Sequence, residues 1–224
     1  MILPQAFCRR DALEVAPALI GKRLARGGVV LEITEVEAYR PGDTASHTSR
    51  GRTARNAPMW GPAGCAYVYL CYGMHQLLNL VTNEDGEGAA VLIRACRPVA
   101  GLDEVRARRG GRRGPALLTG PGKVGQALAI DGSFNGHPLY EPGGLALLDG
   151  PAPAEGLLVG PRVGIDYADP ADRDAPWRFA AAGTPWVSHR KGLARCYPAT
   201  RRRARSVATA SATAASGSMA PGSK

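Results

Sequence analysis

The chain has 224 residues, 45% of them hydrophobic, with 28 Lys+Arg against 19 Asp+Glu and a net charge of +9. That length and apolar content suit one domain with a real core and exclude a wholly disordered chain. No run approaches the roughly 18 apolar residues of a membrane span, and the start, MILPQAFCRRDALEV, has charges where a secretory signal needs its apolar stretch.

The expectation is therefore a soluble, cytoplasmic protein. Eight basic residues and no acidic one lie from Arg190 onward, so the body is nearly neutral and the positive charge belongs mostly to the tail. We divide the chain into a domain over 1–189 and a basic, Ala/Ser/Thr-rich tail over 190–224 whose composition predicts disorder. The five cysteines are an odd number without a CxxC, and the four histidines are scattered. This pattern predicts reduced, mostly buried thiols and no metal site.

In chain order, Asp11 is placed to cap a short apolar helix, ALEVAPALIG, interrupted at Pro17. GGVVLEITEVEAYR reads as a strand. Its alternation predicts Leu31, Ile33, Glu35, Glu37 and Tyr39 on one face, with Val30, Glu32, Thr34, Val36 and Ala38 on the other. Residues 40–64 are loop-like, and Arg50, Arg52 and Arg55 have no acidic neighbour there. CAYVYLCYGMHQLLNLVTN reads as a β-hairpin turning at Tyr72-Gly73-Met74-His75, with Tyr67 and Tyr69 on one face and Tyr72 facing the other way. GAAVLIRAC is a further strand, with Arg94 inside it either at a sheet edge or placed for function. GLDEVRARRGGRR predicts a helix and then a basic loop. Pro121 suits the first turn of a helix through KVGQALAI. Short strands are expected over 132–165.

Several of these residues have the chemistry of a site. Glu37 and Tyr39, two apart on one strand face, can form a general base beside an aromatic ring; the same spacing also fits a surface carboxylate with a rim tyrosine. Tyr72, Met74 and His75 at a projecting turn can wedge between bases, or pack in a core or interface. His47 can stack on or hydrogen-bond a flat ligand. Asn79 can discriminate a purine edge, and Arg94 can hold a phosphate; each also fits a satisfied buried polar group. The loops at 50–55 and 106–113, with Lys123, supply phosphate-binding capacity.

The blocks EITEVEAYRPGDTASH, ARNAPMWGPAGCAYVYLCYGMHQLLNLVTN, GAAVLIRACRPVAG, LLTGPGKVGQALAI and RVGIDYA with PWRF and PWVS, in that order, resemble the alkyladenine (3-methyladenine) DNA glycosylases over roughly residues 1–189. The residues alone support only mixed α and β structure. The resemblance implies an α+β domain with a curved, largely antiparallel sheet, flanking helices and a protruding β-hairpin. It implies a cofactor-free, metal-free monomer that flips alkylated purines out of duplex DNA, is held at the nucleoid through that DNA, and hydrolyses the N-glycosidic bond. By resemblance Glu37 is the catalytic base, and Tyr39, His47 and Tyr69 sandwich the flipped base. Asn79 rejects undamaged guanine, Tyr72 with Met74 fills the vacated stack, and Arg94 contacts the extruded nucleotide or the water. His75 departs from the pattern, since an aromatic is common there. A noncatalytic nucleic-acid-binding module and a hydrolase of free nucleosides remain the rival readings.

Overall fold

The computed structural model describes residues 1–196. Among these, nine strands form one antiparallel sheet, with four short α-helices around it. Helix α1 spans Ala12–Leu19 and runs through Pro17 without the expected interruption; the Asp11 carboxylate accepts from the Leu13 amide, as the sequence predicts. Strands β1 (Arg23–Arg26) and β2 (Val29–Tyr39) follow, then the hairpin β3 (Ala66–Cys71) and β4 (His75–Thr82), and β5 (Ala89–Ala100). Helices α2 (Leu102–Arg108) and α3 (Pro121–Ala127) precede β6 (Leu145–Leu148) and β7 (Leu157–Gly160). Helix α4 (Pro170–Arg173), β8 (Arg178–Ala181) and β9 (Ala194–Cys196) complete the described chain. The fold is the mixed α/β structure the residues support, in the single domain with a largely antiparallel sheet that the resemblance implies.

The strand order is β3-β4-β5-β2-β8-β7-β9, with β1 branching from β2 and β6 pairing with β1. Strand β9, inside the segment read as tail, pairs with β7; residues 197–224 lie outside the described residues, and with them most of the expected disorder. No helix among the described residues is long and apolar enough to cross a membrane.

Strand β2 corrects the simple alternation. Against β5, Ile33 pairs with Cys96 but Glu35 with Ala95, so β2 carries an extra residue; Val36 then pairs with Ile93, so β5 carries one in turn. These irregularities flip the alternation once. Val29, Leu31 and Ile33 enter the core from one side of the bulge, and Val36 and Ala38 enter it from the other. Glu35, Glu37 and Tyr39 are thereby left together on the opposite face. An uninterrupted strand would have pushed either the two carboxylates or the aliphatics the wrong way, because side-chain period is two. Each buried aliphatic contributes about 1.5–3 kcal/mol, so this register is strongly held.

Register also builds a row across the sheet. Tyr67 pairs with Asn79, Asn79 with Leu92, Leu92 with Glu37, and Glu37 with Arg178. Five strands thus deliver these residues to one line. Arg94 lies on β5 between β4 and β2, so it is not at an edge. Helix α3 packs against β4 and β5. That approach requires Gly125, where a Cβ would stand 2.1 Å from the Gln76 carbonyl oxygen.

Candidate active site

A cavity of about 220 Å³ opens on this row. Its walls come from the end of β2 (Glu37, Tyr39), the loop after it (Ala45, His47), the hairpin (Tyr67, Tyr69, Cys71, Tyr72, Leu77, Asn79) and β5 (Leu92, Arg94). Pro121 at the start of α3 and Val163, Gly164, Ile165 and Tyr167 after β7 close it. Glu37, Tyr39, His47, Tyr69, Tyr72, Asn79 and Arg94 all border this one cleft, whereas Met74 and His75 do not. Met74 is 71% exposed at the hairpin tip and lines a separate groove with His75 and Gly122. Tyr72 is 89% exposed. Its φ of 50° and the φ of 68° at Gly73 make a tight turn with both residues left-handed. Because of that turn Tyr72 borders the cleft together with Tyr67 and Tyr69, and does not face away from them as alternation alone suggests.

Glu37 is fully buried yet faces the cleft. Its Oε1 accepts the Val163 amide at 2.7 Å. Its Oε2 accepts the Tyr39 hydroxyl at 3.1 Å and Arg94 Nη1 at 3.2 Å. A carboxylate has about four acceptor positions; three are used, and the remaining one is on Oε1. Burial first, and then the Glu37 charge, push the Tyr39 phenol well above its ordinary pKa, so Tyr39 stays a donor. Behind Tyr39 lies Arg162, with its guanidinium 4.6 Å from the ring centroid. Arg162 is itself ion-paired with Asp43, both fully buried side chains.

The aromatic wall is interlocked. The His47 ring meets Tyr69 edge-on at 4.5 Å, and Tyr69 stacks on Tyr67 at 5.6 Å. His47 Nδ1 and the Tyr67 hydroxyl share a hydrogen bond of 2.8 Å. Desolvation at the wall and then the Arg55 charge lower the His47 pKa, so the ring is neutral at pH 7. Burial raises Tyr67 to about 12, which keeps its hydroxyl protonated. Asn79 is buried and donates through Nδ2 to the Tyr67 carbonyl at 3.0 Å; among the described residues no group donates to its Oδ1.

Around the mouth, Arg50 and Arg55 line a wider groove that shares His47, Tyr67 and Tyr167 with the cleft. Beyond the hairpin, Lys123 is lowered by partial burial and then by Arg109 and Arg112, the mark of crowded cations. Arg106 and Arg108, by contrast, are paired with Asp103 and Glu104, so the basic stretch is only partly free. Sequence reasoning missed Val163, whose contribution is a backbone amide and has no side-chain signal. It also missed Arg162 and Asp43, which meet across 119 residues, and Tyr167, which stands in the RVGIDYA block but was given no role.

Cys8, Cys65, Cys71 and Cys96 are free thiols, and no group of three or more potential metal ligands occurs among the described residues.

The model of a family described as methylpurine-DNA glycosylase matches residues 6–185. A protein of Nitrosococcus oceani named "Putative 3-methyladenine DNA glycosylase" is 63% identical over 193 residues, 86% of this chain and 96% of the relative. A "DNA-3-methyladenine glycosylase" of Arabidopsis thaliana is 57% identical over 188 residues, 84% of this chain and 74% of the relative.

Proposed function

The chain belongs to the methylpurine-DNA glycosylase family, and from that premise we propose that it is a DNA-3-methyladenine glycosylase of base-excision repair, acting on alkylated purines in duplex DNA by hydrolysis with an activated water. Among the substrates are 3-methyladenine and 7-methylguanine, with hypoxanthine and ethenoadenine as neutral candidates. The observation that carries this reading is Glu37 itself, buried, held by three donors and with acceptor capacity to spare on Oε1, in a cleft walled by aromatic rings.

A water bound at Oε1 gives its proton to Glu37 as its oxygen bonds to the sugar C1′. The C1′–N bond breaks, and its electron pair leaves with the base. An alkylated purine cation departs neutral, so it needs no added proton. The sugar is oxocarbenium-like in between, and the Glu37 charge stabilises it at short range. The electron-poor base sits among Tyr39, Tyr69 and His47, where aromatic faces attract cationic rings. The Asn79 side chain, held through Nδ2 on the Tyr67 carbonyl, crowds the 2-amino group of undamaged guanine, whose neutral base is also a poor leaving group, whereas cationic 7-methylguanine departs readily. Tyr72 and Met74 at the exposed hairpin tip fill the gap left in the stack. Double-stranded DNA containing a damaged purine is the partner, and the cations at 50–55 and around Lys123 meet its phosphates. We take the acting unit to be a monomer in the cytoplasm, held at the nucleoid through DNA.

The test compares base release from methylated duplex DNA, from a hypoxanthine duplex and from the free methylated nucleosides. Release from duplexes alone is the expected result. Equal turnover of free nucleosides would favour a nucleoside hydrolase, and binding without release would favour a noncatalytic module.

A further inference from the structure

A second buried carboxylate lies beside the first, outside the cleft and without a role in the reaction as drawn. Glu35 shares the strand face of Glu37 because of the bulge in β2, and it too is fully buried. Arg94 stands between them, with Nη1 at 3.2 Å from Glu37 Oε2 and Nε at 3.5 Å from Glu35 Oε1. Glu35 is anchored from its other side by Arg178 Nη1 at 3.2 Å and by the Ser188 amide at 2.6 Å. Arg178 is held in turn by the backbone carbonyls of Pro161 and His189. Two carboxylates and two guanidiniums thus make a neutral, buried quartet, in which, among the described residues, Arg94 Nε has no hydrogen-bond partner and Arg94 makes one charged hydrogen bond, to Glu37.

From this geometry we propose that Glu35 is a positioning residue for base excision, holding Arg94 shared between two carboxylates so that Glu37 is oriented by the guanidinium without being fully neutralised by it. The inference rests on the glycosylase reading above. A general base must be held still and must still take a proton. An arginine given wholly to Glu37 would satisfy the first need and oppose the second, because an opposite charge at this range strongly favours the carboxylate. Glu35 divides that charge.

The other charged or titratable groups facing the quartet do not titrate in the working range. Arg162 and Arg178 stay protonated. Tyr39, Tyr69 and Tyr167 are all raised, by burial first. His47, across the cleft, also gains a proton at low pH, so every protein compared below, the reference included, carries His47→Gln.

The experiment is the pH–rate profile of single-turnover release from an N7-methylguanine duplex, whose leaving group is already cationic. Glu35→Gln should move the acid limb to lower pH by about one unit, the scale of a neighbouring-charge effect, and lower the plateau by roughly three- to tenfold, as a weaker base does. Glu35→Asp, which keeps the charge, should restore the reference limb. If Glu35→Gln does not fold because Arg178 is left unpaired, Glu35→Gln with Arg178→Gln restores neutrality and should show the same displaced limb. A lower rate with the limb in its reference place would show a structural role only and overturn the proposal, as would an unchanged profile. Wild-type protein that binds the duplex but releases no base would overturn the glycosylase reading itself, and the positioning role with it.

Discussion

The Tyr39 hydroxyl donates to Glu37 Oε2 at 3.1 Å, two residues along one strand face. The same ring that borders the cleft therefore also holds the carboxylate. Tyr39→Phe separates these roles, since it keeps the ring and removes the donor. A hydrogen bond to a charged group contributes about 1.5–3 kcal/mol. Single-turnover base release should fall about tenfold or more, with affinity for a lesion-containing duplex unchanged. Tyr39→Ala should lose both rate and affinity.

The hairpin tip predicts a dependence on the form of the DNA. Tyr72 carries a positive φ that alanine tolerates no worse than tyrosine, so Tyr72→Ala should leave the fold intact. Release from duplex should drop by about tenfold, since unstacking a base costs a few kcal/mol. Release from the same lesion in single-stranded DNA should change little.

The lowered pKa of His47 sets a pH window. The neutral ring prevails at pH 7 and persists below the ordinary value of 6.5. As pH falls further the ring gains a proton and repels a cationic base. Release of 7-methylguanine should therefore decline more steeply than release of hypoxanthine toward pH 5, when both are measured by single turnover. His47→Gln should remove that difference.

The buried Arg162–Asp43 pair supports Tyr39 from behind. Asp43→Asn leaves a buried guanidinium without its counter-charge, and breaking such a pair costs about 3–5 kcal/mol. At about 2–4 °C per kcal/mol for a domain of this size, thermal unfolding should fall by roughly 10 °C. Arg162→Met with Asp43→Leu, which removes both charges, should recover much of the loss.

Most of the site was legible because its residues interrupt otherwise apolar runs. Asn79 and Arg94 stand out in β4 and β5, Glu37 in β2, and the hairpin declares itself through Tyr72-Gly73. The helix start at Asp11 was readable from its cap. The face of Leu31 and Ile33 was not, because a bulge near Thr34 leaves no residue signature and inverts everything beyond it. The partners of Glu37 were only partly visible. Tyr39 is local, whereas the Val163 amide arrives from 126 residues away. Such long-range pairings are products of topology, and the strand order that creates them is not written in any one segment.

The central claim is that Glu37 is the base. Its most direct test is single-turnover release from a methylated duplex by wild type and by Glu37→Gln, followed by alkaline strand cleavage, with DNA affinity measured on the same preparations. Wild type should release base, the variant should lose at least ~100-fold, on the scale of a general base's contribution, and binding should be retained. Turnover by Glu37→Gln close to the wild-type rate would contradict that assignment.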